Sequence, residues 1–264
     1  MNPTPKKSLG QHWLHDHGAL QAVADAALVT KDDTVLEVGP GLGTLTSLLT
    51  AQAKQVVAVE FDDDLARDLP GRVRAGNVEV VHTDILRFDF LSLPPQYKVA
   101  ANIPYYLTSK LVRMLLESPN PPAAMALLVQ KEVAERMAAE PGDMSVLSVA
   151  VQFYAVPKLC QVVPAALFTP LPKVDSQIIQ LVHRDEPLFT DIAPEDFFAI
   201  VRAGFGEKRK KLRNSLSGAL RMDKTAVDAL LQGCGIAENA RAEQLTMEQW
   251  HTLVLALKKT AVQI

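Results

Sequence analysis

Thr34-Val35-Leu36-Glu37-Val38-Gly39-Pro40-Gly41-Leu42-Gly43 is the stretch from which the fold follows. It reads as a short apolar strand that ends in glycines and opens directly into a helix-like run over residues 42–53. Working outward, further strands are predicted at Gln55–Glu60, Val78–His82, 97–102 and Ala124–Gln130. Helix-like segments such as 109–117 lie between them. Strands at this rhythm, separated by helices, call for parallel crossovers and a doubly wound α/β sheet. Residues 149–156 and Ser176–His183 read as two more strands of the same sheet, with a Pro-rich loop between them.

After His183-Arg184-Asp185-Glu186-Pro187 the character changes. Asp191, followed by Pro194 and Glu195, is expected to open a helix whose Phe197, Phe198, Val201 and Phe205 share a face. Leu212, Leu216 and Leu220 continue at helical spacing, and two more helical faces follow around Leu230 and Leu253. The expected organisation is an α/β domain over residues 1–186 and a small all-helical domain over 187–264.

Composition narrows the classes. Of 264 residues, 48% are hydrophobic and 22% charged, an ordinary globular mixture. No apolar run approaches the ~20 residues that span a bilayer, and the first residues lack the apolar core of a signal peptide. A cytoplasmic chain with no membrane partner is therefore expected. Cys160 and Cys234 show no zinc or redox spacing and are expected to be reduced. The net charge of −3 argues against indiscriminate nucleic-acid binding, so any such contact must come from local basic patches. His12, His15 and His17 fit no common zinc pattern, and no metal is expected.

Glycines after the first strand let the backbone pass close to a bound nucleoside, and Glu60, ending the second strand, can hydrogen-bond ribose hydroxyls. The dinucleotide fingerprint needs glycine where this chain has Thr44, so a cofactor without a pyrophosphate is favoured over NAD. The spacing resembles the S-adenosylmethionine loop of class I methyltransferases, in which the position of Asp84 holds the adenine amine. Solvated loop carboxylates are the plain alternative for Glu60 and Asp84.

Asn102-Ile103-Pro104-Tyr105 is a second informative stretch. Pro104 stops the strand, which presents Asn102 and Tyr105 at a carboxyl end, where open α/β sheets bind ligands. An amide oxygen and a free backbone carbonyl both accept from an –NH2 group, and Tyr105 offers a stacking face. The segment reads as a pocket for the exocyclic amine of an adenine, the alternative being an Asn-capped turn. Phe168, in the Pro-rich loop, is a further stacking candidate or else a core aromatic. Lys208-Arg209-Lys210-Lys211-Leu212-Arg213 is the densest basic run, read as a helix face for phosphate contact together with Lys6 and Lys7.

These pieces, with Lys7-Ser8-Leu9-Gly10-Gln11-His12-Trp13-Leu14, residues 168–176, 209–216 and Arg241-Ala242-Glu243, make the chain resemble the small-subunit rRNA adenine dimethyltransferase family nearly end to end. The resemblance implies a Rossmann-like class I methyltransferase fold and S-adenosylmethionine held by His12, Leu14, Gly39, Glu60, Asp84 and Asn102. It implies catalysis at Asn102, Pro104, Tyr105 and Phe168, and dimethylation of N6 of two adjacent adenosines in the 3′-terminal hairpin of 16S rRNA, by a monomer. The partner would be the small ribosomal subunit or its precursor. The family usually has Asn-Phe where this chain has His12-Trp13, and Gly-Asp where it has Thr83-Asp84. Rivals are the large-subunit rRNA methyltransferases of macrolide resistance, against which Asp175 and the Arg241 stretch speak, and a non-catalytic ribosome-assembly factor.

Overall fold

The computed structural model describes residues 3–6, 9–207 and 210–259. Its contacts divide the chain into two compact units, residues 1–135 with 155–184, and residues 136–154 with 185–264.

In the first unit the strands are β1 (Trp13–Leu14), β2 (Thr34–Val38), β3 (Gln55–Glu60), β4 (Val78–His82), β5 (Lys98–Asn102), β6 (Ala124–Gln130), β7 (Ala155–Val163), β8 (Phe168–Thr169) and β9 (Ser176–His183). Helices α1 (His17–Ala26), α2 (Thr44–Gln52), α3 (Asp63–Val73) and α4 (Thr108–Leu116) alternate with them, and α5 (Lys131–Met137) follows β6. The seven-stranded sheet has the order β4-β3-β2-β5-β6-β9-β7. Strands β2 to β6 are parallel, whereas β9 runs antiparallel to both β6 and β7. All five residues of β2 are buried, as expected of a central parallel strand covered on both faces. From β2 the chain moves one way through β3 and β4, then returns to lay β5 on the other side of β2. The carboxyl ends of β2 and β5 thus flank a topological switch point, the place where an open sheet leaves a crevice.

The second unit holds α6 (Val146–Tyr154), α7 (Pro194–Phe205), α8 (Leu212–Leu220), α9 (Lys224–Gly233) and α10 (Met247–Lys259). Phe153, Phe197, Val201, Leu212, Leu216, Trp250 and Leu253 pack into its core. Pro194 stands at the start of α7, where its missing N–H costs nothing. None of the described helices is long and apolar enough to cross a membrane.

Three expectations change here. Residues 149–156 are not a strand: α6 occupies Val146–Tyr154 and β7 begins only at Ala155. The run Val149-Ala150-Val151 is apolar on every side, so its periodicity could not separate a buried helix from a buried strand. The helix opens on a reciprocal pair in which the Ser148 N–H donates to Ser145 Oγ (3.2 Å) and the Ser145 N–H donates to Ser148 Oγ. The helical unit consequently takes in residues 136–154 besides those after 184, beyond the expected boundary at 186. Asp191 does not cap α7 either. The cap position is Ala193, and the Asp191 carboxylate instead meets His251 Nε2 at 2.7 Å.

Candidate functional site

The turn after β2 is built from glycines under two different demands. At Gly43, φ is +82°, and a Cβ would come within 2.8 Å of Leu69 Cδ1 and 2.9 Å of Val73 Cγ2, so helix α2 can pack against α3 only without a side chain there. At Gly39, φ is +68° and a Cβ would meet nothing within 4 Å. There the glycine keeps a cavity open. The Gly39 N–H is tied to the Val59 carbonyl at 2.9 Å, which holds the turn against the end of β3.

Glu60, at that end, is buried and braces the same turn. Its Oε2 accepts from the Gly41 N–H (3.1 Å) and its Oε1 from the Asp62 N–H (2.9 Å). Burial pushes its carboxyl above the ordinary value, and these amide donors pull back against that. Glu37, at the end of β2, is fully buried, and its Oε2 has no partner among the described residues. Loss of hydration pushes its carboxyl from an ordinary 4.5 up to about 8, with the negative charge of Glu60 adding to the rise. The Thr46 hydroxyl pulls the other way, without being in hydrogen-bonding geometry with any described group. Asp84 uses Oδ1 to accept from the Leu86 N–H at 3.0 Å, capping a 3-10 turn at the cavity edge.

The end of β5 forms the facing wall. Asn102 Nδ2 donates to the His12 carbonyl at 3.0 Å. The His12 ring lies 5.8 Å from that of Tyr105 at an interplanar angle of 21°, and its Nδ1 is 2.7 Å from the Pro170 carbonyl. Tyr105 is anchored at its far end by a 3.0 Å hydrogen bond between its hydroxyl and Ser176 Oγ. Burial raises the Tyr105 phenol above its ordinary value, so it stays protonated at neutral pH.

Together these groups line one cavity of about 220 Å3. It brings together His12, Leu14, Gly39, Glu60, Asp84, Asn102, Pro104 and Tyr105. The residues fit a nucleoside-type cofactor. Two buried polar atoms in the wall, Glu37 Oε2 and Trp13 Nε1, are unpartnered among the described residues, and Gly39 leaves open space beside them. Carboxylates at Glu60 and Asp84 suit hydroxyl and amine donors, and Phe61, 58% exposed on the cavity wall, supplies an apolar ring. Phe61 went unnoticed in the sequence, although the place directly after Glu60 was a signal. Glu37 and Trp13 carried none, because only packing buries their polar atoms.

Other expected residues lie elsewhere. Phe168 is 4% exposed, pairs with Leu14 across the short β1–β8 ladder and joins the core of the first unit rather than the cavity wall. Lys6 is exposed but engaged by carboxylates: its Nζ pairs with Asp62 at 2.8 Å and Asp64 at 3.3 Å, while Gln11 also donates to Asp62. Burial alone would raise the Asp62 carboxyl, but these donors hold it below the ordinary range. Arg213 Nη1 is bound to Asp228 at 2.9 Å and lies 3.6 Å from Glu238. Lys211 is exposed at the start of α8, and the exposed Lys210 places its Nζ 3.9 Å from the Glu207 carboxylate. Of the described part of the basic run, Lys210 and Lys211 precede α8, whereas Arg213 lies in its first turn. Lys7, Lys208 and Arg209 lie outside the described residues.

Residues 2–259 match the family described as ribosomal RNA adenine dimethylase. A Dehalococcoides mccartyi protein named ribosomal RNA small subunit methyltransferase A is 44% identical over 254 residues, covering 95% of this chain and 87% of that protein. Its namesake from Alkaliphilus oremlandii is 40% identical, covering 96% and 92%. Among solved structures, a dimethyladenosine transferase from Plasmodium falciparum superposes with a TM-score of 0.81 at 26% identity, covering 93% of this chain and 97% of that one. The 23S rRNA methyltransferase ErmE superposes with a TM-score of 0.77 at 32% identity, covering 93% and 99%.

Proposed function

This chain belongs to the ribosomal RNA adenine dimethylase family, and from that premise we propose that it dimethylates N6 of two adjacent adenosines in the 3′-terminal hairpin of 16S rRNA. The reaction uses S-adenosylmethionine and serves small-subunit biogenesis. Because the substrate is ribosomal RNA, we place the enzyme in the cytoplasm, as a monomer acting on the small subunit or its precursor.

The observation that carries this reading is the orientation of the Asn102 amide. Its nitrogen is committed to the His12 carbonyl, which can only accept. The Asn102 oxygen, with no partner among the described residues, is therefore left as an acceptor in the cavity wall.

S-adenosylmethionine, when bound, supplies an electrophilic methyl group on a sulfonium that departs without acid assistance. The chain's own task is to prepare the amine. The N6 lone pair of adenine is delocalised into the ring and attacks poorly. Asn102 Oδ1 and a backbone carbonyl of the Ile103-Pro104 turn accept the two N–H bonds of the amine, which favours a tetrahedral nitrogen and exposes its lone pair. The same acceptors stabilise the positive charge that develops on nitrogen, an electrostatic contribution made by dipoles already fixed in place. Tyr105, braced by Ser176 and His12, offers the face on which the unpaired base stacks, a contact worth roughly 1–3 kcal/mol. Gly39, Glu60 and Asp84 would hold the cofactor beside the amine pocket, replacing a bimolecular encounter by a fixed approach. Lys210 and Lys211 are left to contact phosphate.

Methyl transfer from labelled S-adenosylmethionine to purified, unmethylated small and large ribosomal subunits tests the proposal, with nucleoside mass spectrometry as readout. N6,N6-dimethyladenosine in small-subunit RNA alone is the expected result. Label confined to large-subunit RNA would overturn it.

A further inference from the structure

Among the described phenylalanines, tyrosines and tryptophans, Tyr106 is the most exposed, at 70%. It stands in the 3-10 turn Tyr105–Leu107, next to the tyrosine that serves the cavity, and it lines the same cavity. The amino-terminal arm runs beside its ring, a Cβ added at Gly10 lying 3.5 Å from Tyr106 Cε1. Among the described residues it has no ring partner, and its hydroxyl has no hydrogen bond. The turn holding it is short and stiff: Pro104 precedes it, and the Leu107 N–H closes on the Pro104 carbonyl at 2.9 Å.

A large apolar ring held rigidly in water at the mouth of a base pocket gains most by covering itself with a second flat, apolar surface. We propose that Tyr106 is the stacking platform for the nucleotide beside the target, so that one adenosine of the pair occupies the Asn102–Tyr105 pocket while its neighbour lies on Tyr106. This inference rests on the function proposed above and adds to it a reader of the second base. Adjacent nucleotides in a splayed single strand are separated by one phosphate, and successive aromatic side chains are the usual way a protein receives them. Lys110, four residues further on in α4, is exposed and has no carboxylate partner among the described residues, which leaves a cation for that phosphate. The role is one of positioning: Tyr106 selects for two adjacent purines and touches no reacting atom.

The test is a double-mutant cycle between protein and RNA, with unmethylated small subunits as substrate. Wild type, Tyr106→Ala and Tyr106→Phe are compared on natural subunits and on subunits in which one adenosine of the pair is uridine, and transfer to the remaining adenosine is followed. Tyr106→Ala is expected to raise KM for natural subunits at least about fivefold, the loss of one base–aromatic stack, with kcat and S-adenosylmethionine affinity within about twofold. Tyr106→Phe retains wild-type KM. The uridine change raises KM for wild type and adds little to Tyr106→Ala. An unchanged KM in Tyr106→Ala, or an equal cost of uridine in both proteins, would overturn the inference while leaving the function intact. No transfer by the wild type to either subunit would overturn the function and the inference with it.

Discussion

Asn102 at the end of β5 and His12 in the amino-terminal arm are 90 residues apart in sequence and joined by a 3.0 Å hydrogen bond from amide nitrogen to backbone carbonyl. The bond does two things at once. It ties the arm to the end of β5 beside the cavity, and it fixes which end of the amide is left without a partner. Asn102→Ala removes the acceptor, and kcat is expected to fall by about a hundredfold or more, the size seen when a single preorganised dipole is deleted. Asn102→Asp is expected to fail as well, because two carboxylate oxygens would confront the His12 carbonyl with no donor between them. RNA affinity, measured by fluorescence anisotropy, stays near wild type in Asn102→Ala. Normal turnover in that variant would remove the amine-pocket argument.

Glu37 makes stability depend on pH in an unusual direction. Its carboxyl sits at about 8 in the folded chain against an ordinary 4.5, because burial disfavours the charge. Below 4.5 both folded and unfolded forms hold the proton and the group imposes no penalty. As pH rises above that value the unfolded form ionises while the folded form keeps its proton, so stability falls until pH passes about 8 and then levels. The fall from this group is at most about tenfold in the folding constant per pH unit. Glu37→Gln should flatten the profile and raise Tm most at the alkaline end. Thermal unfolding of the cofactor-free protein from pH 5 to 9 would show it, and parallel curves for the two proteins would refute it.

The two glycines should fail differently. Gly39→Ala meets open space, so its main structural cost is the positive φ, about 1 kcal/mol. Its methyl group projects into the cavity, and S-adenosylmethionine affinity should drop more than stability does. In Gly43→Ala the methyl group meets Leu69 and Val73 at under 3 Å, and overpacking of this kind costs about 1–3 kcal/mol besides the backbone strain. Calorimetric titration and thermal unfolding of both variants separate the cases. Equal losses in both measurements would show that neither glycine has a distinct task.

Within the helical unit, Arg213 and Lys211 should also separate. Arg213 links α8 to Oδ2 of Asp228 in α9 in a partly buried pair, while Asp228 Oδ1 is buried with no partner among the described residues. Arg213→Ala is therefore expected to lower Tm while RNA affinity changes little. Lys211→Ala should weaken RNA binding, more so at low salt, with Tm unchanged. The reverse pattern would return Arg213 to the RNA-binding set.

What could not be read from sequence at these positions shares a cause. Val149-Ala150-Val151 is apolar whether it forms a strand or a helix, and what settles the matter is Phe153 finding Phe197 and Phe198 in the helical core. Lys6 and Arg213 are basic in any conformation, yet whether a cation faces solvent or a carboxylate depends on Asp62 and Asp228, distant in sequence. Phe168 beside prolines suits a clamp or a core equally well, and its pairing with Leu14 sends it inward.

Local chemistry was legible in the chain because it depends on neighbours a few residues away. A strand ending in glycines, an acidic residue closing the next strand and a strand stopped by Pro104 follow from backbone sterics and short-range periodicity, and they suffice for the sheet and for the placing of Gly39, Glu60 and Asn102. Orientation was not legible. Which end of the Asn102 amide faces the cavity, that Glu37 keeps a proton, and that Tyr106 stands exposed at the rim while Tyr105 is tied to Ser176 all follow from contacts between segments far apart in sequence. Hydrogen bonds and desolvation act at a few ångströms, and only folding brings such groups that close.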